Sequence, residues 1–298
     1  MKLEDIKNVT VIGGGTMGSQ IAELLSNVGG YNVMLWSRKD ETVKRGLDAI
    51  EQRMKKFFVD KDKMSQAQMD EIVGRIKGTT NISDAVKTAD CVIESVAENL
   101  AIKKEVYQKL DESAPAESIL ASNTSQMNIT EIASTINRPD KVLGIHFFNP
   151  VGVMKLVEII RGTLTSDETM EVSCALVQKL GKEYVVCKDF SYGFIGNRVY
   201  RALRMEAIQM VWERVASPED IDKTMKLGFN FPMGPLELGD FSGAWGTYAV
   251  SEADAIREMG PEKGHLHPLI RMMVRAGYTG GRQGKGIYAF WEDMMSKW

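Results

Sequence analysis

Short apolar runs alternate with amphipathic stretches along the first half of the chain. Residues 8–13 are a β-rich run, and Ile21, Ala22, Leu24 and Leu25 follow as one face of a helix that stops at Gly29 and Gly30. A second strand is predicted over 31–36. The alternation then pauses. Val43, Leu47, Ile50, Met54 and Phe57 lie at spacings of four and three, and SQAQ at 65–68 is a capping box for a second helix with Met69, Ile72, Val73 and Ile76 inside. A helical hairpin is therefore inserted before a short strand near 78–82. The α/β pattern resumes with a strand over 91–96, a helix over 100–110, a strand over 118–121, a polar loop at 122–125 and a short helix near 129–136. Two apolar runs, 142–148 and 156–160, flank a turn with Asn149, Pro150 and Gly152. A helix over 167–180 and a strand over 184–187 close this part.

Beyond Asp189 the strand signals fade. A helix is predicted over 195–215, with Ile195, Val199, Leu203, Ile208, Val211 and Val215 inward. Ser217, Pro218, Glu219 and Asp220 stand in the order expected at a helix start. Residues 231–243 read as a Gly- and Pro-rich loop, followed by helical patterns over 244–259 and 269–276. The pattern predicts an α/β fold: an N-terminal Rossmann-type doubly wound sheet with an inserted helical hairpin (1–188), then a smaller all-α C-terminal domain (189–298). The first would bind a dinucleotide; the second, with faces rich in Met and Leu, would self-associate or simply pack its own core.

Composition narrows the function. The 298 residues are 44% hydrophobic and 26% charged, with a net charge of −3. That balance argues against nucleic acid as a partner. No apolar run reaches membrane-spanning length. Cys91, Cys174 and Cys187 lack metal spacing, so no metal is expected, and free thiols point to a reducing, cytoplasmic setting. With the first strand so near Met1, no signal peptide is expected.

The chemistry concentrates in three places. GGGTMG at 13–18 is GxGxxG between a strand and a helix, a dinucleotide-binding signature. Gly13 permits the tight turn, Gly15 the approach of a pyrophosphate, and Gly18 the packing of helix on strand. Thr16 and Met17 open the helix whose terminal amides take the phosphates. At the second strand's end, where an NAD-binding unit has an acid for the ribose, the chain has Ser37 and Arg38. A hydroxyl with a guanidinium favours a 2′-phosphate, hence NADP, with NAD possible if Arg38 belongs to a solvated turn. Third, folding 142–160 about Gly152 sets His146 six residues before the centre and Glu158 six after. As an antiparallel pair they face each other, either as a base and its orienting carboxylate or as a structural pair. Ser125, in a polar loop after a strand's carboxyl end, is a candidate hydroxyl donor. Arg53, Lys55 and Lys56 would meet a phosphorylated ligand or lie on a solvated helix face.

HFFNP and MKLVE around His146 and Glu158, with the glycine loop, Asn123-Thr124-Ser125, GFIGNR (193–198), PMGPLELGD (232–240) and GKGIY (284–288), resemble the L-3-hydroxyacyl-CoA dehydrogenase family almost end to end. RPDKV (138–142) and VRAGY (274–278) are most similar to its short-chain bacterial type, which acts on 3-hydroxybutyryl-CoA. The resemblance implies reversible oxidation of a 3-hydroxyacyl-CoA to the 3-ketoacyl-CoA, with the helical domain serving substrate binding and forming a homodimer. It implies that His146 takes the hydroxyl proton, Glu158 orients it, Ser125 binds the substrate oxygen and Asn197 helps to fix that geometry. It places Glu98, Lys103, Asn123 and Asn149 around the cofactor, and Arg282 near its nicotinamide end. Three departures stand out. Ser37 replaces the usual acid, Phe190, Ser191 and Tyr192 alter the linker, and Ile50 and Phe57 fall near the family's CoA-contacting Ser and Lys, leaving Lys55 or Lys56 as substitutes. Rival readings are a 3-hydroxy dehydrogenase of the same fold acting on a non-CoA substrate, and a non-catalytic cofactor-binding protein.

Overall fold

Eight strands pair into one sheet in the computed structural model, which describes residues 1–190, 192–281 and 284–296. They are β1 (Asn8–Ile12), β2 (Asn32–Trp36), β3 (Ile76–Thr79), β4 (Cys91–Glu94), β5 (Ile119–Ser122), β6 (Val142–Phe147), β7 (Leu156–Arg161) and β8 (Glu183–Lys188). Their spatial order is β3-β2-β1-β4-β5-β6-β7-β8. β1 to β6 are parallel, β7 runs antiparallel to β6, and β8 is parallel to β7. Parallel strands covered on both faces read as unbroken apolar runs, and β4, β5 and β6 are buried along their whole length. The order reverses between β1 and β4, so the crevice at the carboxyl ends of those strands is where such a sheet takes a ligand.

The crossovers are helical: α1 (Thr16–Asn27), α2 (Asp40–Phe57), α3 (Gln66–Gly74), α4 (Ile82–Val86), α5 (Leu100–Ser113), α6 (Ile129–Ala133) and α7 (Asp167–Lys179). α2 and α3 are the inserted hairpin. Ser65 caps α3 as the sequence predicts, its Oγ accepting from Gln68 N at 3.2 Å while Gln68 Oε1 accepts from Ser65 N at 2.9 Å. Two details differ from the sequence reading. α3 stops at Gly74, so Ile76 opens β3 instead of continuing the helix face, and Phe57 is half exposed beyond the buried stripe of Val43, Gly46, Ile50 and Met54.

The chain divides into two compact units, Met1–Phe190 and Ser191–Trp298. The described part of the second is helical: α8 (Gly196–Trp212), α9 (Pro218–Phe229), α10 (Pro235–Ser242), α11 (Ala244–Val250), α12 (Glu252–Met259), α13 (Pro261–Gly264), α14 (Pro268–Arg275) and α15 (Ile287–Phe290). Its core gathers Ile208, Val211, Leu236, Trp245, Leu269 and Phe290. The stretch expected as a loop at 231–243 contains α10. Pro235 stands in its first turn, and Asp222 of α9 accepts from Leu236 N and Glu237 N at 2.9 and 2.6 Å, a cap borrowed from another helix. The inner face of α8 also differs from the expected one. Val199 and Val215 are exposed, and Arg204 takes a core position instead, with its guanidinium against the rings of Tyr200, Tyr248 and Trp245 at 4.4, 4.1 and 5.6 Å. Three aromatic faces make that position hospitable to a cation.

Candidate active site

The β6–β7 hairpin carries the centre of the site. Its register sets Ile145 opposite Ile159, His146 opposite Glu158 and Phe147 opposite Val157. His146 Nδ1 lies 2.7 Å from Glu158 Oε2, and the two residues are only 4% and 1% exposed. In that geometry the ring's Nδ1–H donates and the carboxylate accepts, which fixes the tautomer and the ring plane. The Phe148 ring packs beside the imidazole with centroids 4.8 Å apart. The nearby Cys187 thiol is pushed up to about 11 by burial and then by the charges of Glu158 and Asp189, so it stays protonated at neutral pH.

Two polar side chains secure the hairpin tip, and neither carries a signal in the sequence. Lys182, just before β8, donates from Nζ to Val151 O at 2.6 Å and to Met154 O at 2.8 Å. Gln20 of α1 accepts from Val151 N at 2.9 Å and donates to Asn149 Oδ1 at 3.2 Å. Asn149 is thereby tied to the helix that follows the glycine loop.

The loop after β5 comes beside the hairpin through Asn123. Its Oδ1 accepts from Phe147 N at 2.8 Å, and its Nδ2 donates to Ser95 Oγ at 3.2 Å. Next along, Thr124 Oγ1 and Ser125 N both donate to Glu98 Oε1, at 2.6 and 2.8 Å. Glu98 Oε2 lies 3.3 Å from Lys103 Nζ. Lys103 is 1% exposed and its ammonium also reaches Glu94, so it sits beneath Glu98.

The glycine loop fits a dinucleotide. Gly13 has φ +126°, and a Cβ there would meet Ser95 O at 2.3 Å; a Cβ on Gly18 would meet Gly13 O at 1.8 Å. A Cβ on Gly15 would meet nothing within 4 Å, so the space in front of it is open. Gly15 is the N-cap of α1 and supplies no side chain to its first amides. Those amides, opened by Thr16 and Met17, offer a pyrophosphate the donors that a helix start leaves over. Ser37 is half buried, with its Cβ 3.3 Å from where a Gly14 Cβ would stand. Arg38 is exposed, and its charge contributes, after that of Lys109, to holding the Glu105 carboxyl below the usual range.

Other expected residues stand on α2 and α8. Lys55 and Lys56 are exposed in the last turn of α2, and Lys56 Nζ stands 5.5 Å over the Phe57 ring. Arg53 is bound instead to Glu23 at 2.7 Å and Ser19 Oγ at 3.3 Å, and Ile50 is packed in the core. Asn197 stands in the first turn of α8, in the second unit. Arg282 and Ser191 lie outside the described residues. Among the described residues, no helix is long and apolar enough to cross a membrane.

Comparison with known proteins agrees with the fold. The pattern of the 3-hydroxyacyl-CoA dehydrogenase NAD binding domain matches residues 8–190, and that of the same enzyme's C-terminal domain matches residues 193–290. A probable 3-hydroxybutyryl-CoA dehydrogenase of Bacillus subtilis (strain 168) is 42% identical over 288 residues, covering 97% of this chain and 99% of that protein. A 3-hydroxybutyryl-CoA dehydrogenase of Clostridioides difficile is 42% identical over 282 residues, covering 95% and 99%. The crystal structure of (S)-3-hydroxybutyryl-CoA dehydrogenase from Ralstonia eutropha is similar with a TM-score of 0.88 at 39% identity, covering 95% of this chain and 98% of that one.

Proposed function

The chain belongs to the 3-hydroxyacyl-CoA dehydrogenase family, and from that membership we propose that it interconverts (S)-3-hydroxybutyryl-CoA and acetoacetyl-CoA, with His146 as general acid–base and NADP(H) preferred. The observation that carries this reading is the buried His146–Glu158 pair with its 2.7 Å contact. In the oxidative direction the imidazole takes the C3 hydroxyl proton. A nicotinamide cofactor held at the glycine loop would supply the acceptor for the hydride that leaves C3. Glu158 keeps the ring in place and stabilises the imidazolium. In the reductive direction the imidazolium returns the proton to the oxygen. The Ser125 hydroxyl hydrogen-bonds the substrate oxygen, Asn197 helps to fix that geometry, and Lys55 or Lys56 meets the CoA phosphates. Polar contacts that strengthen in the transition state are worth about 3 kcal/mol each.

Gly13, Gly15, Thr16, Met17 and Gly18 would hold the cofactor's pyrophosphate, Ser37 and Arg38 its adenosine end, and Glu98, Asn123 and Asn149 the rest, with Lys103 beneath Glu98. The relatives named for 3-hydroxybutyryl-CoA support the short acyl chain. Exposed Leu227, Phe229, Phe241 and Val250 in the second unit support a homodimer formed there, and the free thiols of Cys91, Cys174 and Cys187 go with the cytoplasm. The test is oxidation of NADPH and NADH by the purified protein with acetoacetyl-CoA and with longer 3-ketoacyl-CoAs, followed at the nicotinamide absorbance. No turnover with any acyl-CoA would remove the reading.

A further inference from the structure

Beneath the Ser125 loop lies a closed circuit of polar groups, buried except at Glu98, built on Glu94, the last residue of β4. Glu94 is 0% exposed in the interior of the sheet. Its Oε1 accepts from Val96 N at 2.7 Å and from Lys103 Nζ at 2.8 Å; its Oε2 accepts from Ser122 Oγ at 2.7 Å and from the same Nζ at 3.1 Å. Lys103 passes the connection to Glu98, and Glu98 holds Thr124 Oγ1 and Ser125 N. Thr124 N donates back to Ser122 Oγ at 3.3 Å and closes the ring.

A buried ion pair is weak evidence for stability, because apolar residues of similar volume often serve a core as well. Here the pair has a geometric consequence. Glu98 sits on a loop with its side chain 32% exposed, and Lys103 is the cation that fixes its direction. An ammonium only 1% exposed is costly to keep charged unless a carboxylate compensates it. Glu94 supplies that compensation from below. We propose that Glu94 is a positioning residue of the reaction: acting through Lys103, it aims Glu98 at the Ser125 amide and so sets the Ser125 hydroxyl against the substrate oxygen. This rests on the role given to Ser125 above.

The electrostatics agree. Burial lowers the Lys103 pKa, but Glu94 and Glu98 together outweigh it and leave the group above its ordinary value. Tyr107, which faces Glu94 from α5, is held neutral by burial and then by the charge of Glu94, its phenol well above the ordinary value.

The experiment is Glu94→Gln in the full chain, read two ways. Amide hydrogen exchange of the peptide covering 123–127, measured without cofactor, should rise at least about tenfold, because the Ser125 N–H loses a fixed acceptor. Turnover of acetoacetyl-CoA should fall about 10- to 100-fold, the scale of a misplaced group. Its pH profile should also gain an alkaline fall, because Lys103 with one carboxylate loses its proton more readily. Unchanged exchange in a folded Glu94→Gln protein overturns the proposal. So does full turnover in Glu94→Gln/Lys103→Met, which would make the pair a replaceable filler. Raised exchange with normal turnover also overturns it, by removing Ser125 from the chemistry while leaving the acid–base reading intact. If Glu94→Gln fails to fold, Ser122→Ala removes one donor to Glu94 and should raise the same exchange severalfold; no rise would count against Glu94.

Discussion

His146 and Glu158 stand directly opposite each other on adjacent antiparallel strands, with Nδ1 and Oε2 2.7 Å apart. A base held this way needs both its ring and its carboxylate. His146→Gln is expected to lower kcat by a factor on the order of 10²–10⁴ with the protein still folded and binding nucleotide. Glu158→Gln should also lower kcat, since a neutral amide no longer stabilises the imidazolium. Steady-state kinetics with acetoacetyl-CoA checks both, and near-normal turnover of His146→Gln would remove the assignment.

The cofactor preference turns on Ser37 and Arg38. A carboxylate at the end of β2 would hold the ribose of NAD; a hydroxyl beside a guanidinium suits a 2′-phosphate. Charge-assisted hydrogen bonds contribute roughly 1.5–3 kcal/mol, so kcat/KM should favour NADPH over NADH by about tenfold to several hundredfold. Ser37→Asp with Arg38→Ile should reverse the order. Equal values for the unmodified protein would mean that Arg38 serves only solvent.

Lys182 holds two carbonyls of the hairpin tip from a position 8% exposed, and burial keeps its pKa below the ordinary lysine value. Lys182→Met leaves Val151 O and Met154 O without that donor. Denaturant unfolding should show a loss of roughly 2–3 kcal/mol, the cost of orphaning such groups. A change within about 0.5 kcal/mol, the range of ordinary surface substitutions, would show that the tip holds itself.

The second unit should have its own acid sensitivity. Glu252 accepts from Leu266 N at 2.8 Å, Arg271 Nη2 at 2.7 Å and His265 Nδ1 at 3.3 Å, and these contacts, the backbone donor foremost, hold its carboxyl at about 2 against an ordinary 4.5. The folded value is the lower one. Stability from Glu252 is therefore present above pH 4.5 and is lost as the pH falls toward 2. The stability gap between the parent and Glu252→Gln should be constant above that window and close within it, as followed by Trp fluorescence across pH. A gap that ignores pH would sink the idea.

Local, patterned features were the most legible in the sequence. The glycine loop and the His146–Glu158 pairing could be found because spacing alone carries them: GxGxxG sits between a strand and a helix, and the hairpin is symmetric about Gly152. Gln20, Lys182 and Glu94 were silent because their meaning lies in partners far along the chain, and a lone polar residue in a helix or strand has no period. Arg204 carried no signal for a related reason, since a charge in a helical face is ordinarily assigned to solvent and two of its three rings, Tyr248 and Trp245, come from a helix far along the chain. α10 was hidden because its cap, Asp222, lies on a different helix.

The distances along the chain between these partners carry a further consequence. His146 and Glu158 are 12 residues apart, whereas Gln20 and Val151 are 131 apart. Closing the longer loop costs about 2 kcal/mol more in chain entropy, by the logarithmic dependence on loop length. Under mild denaturation the acid–base pair should therefore outlast the tie between the hairpin and the nucleotide helix. Affinity for nucleotide should fade first, leaving an assembled base with no acceptor nearby for the substrate's hydride.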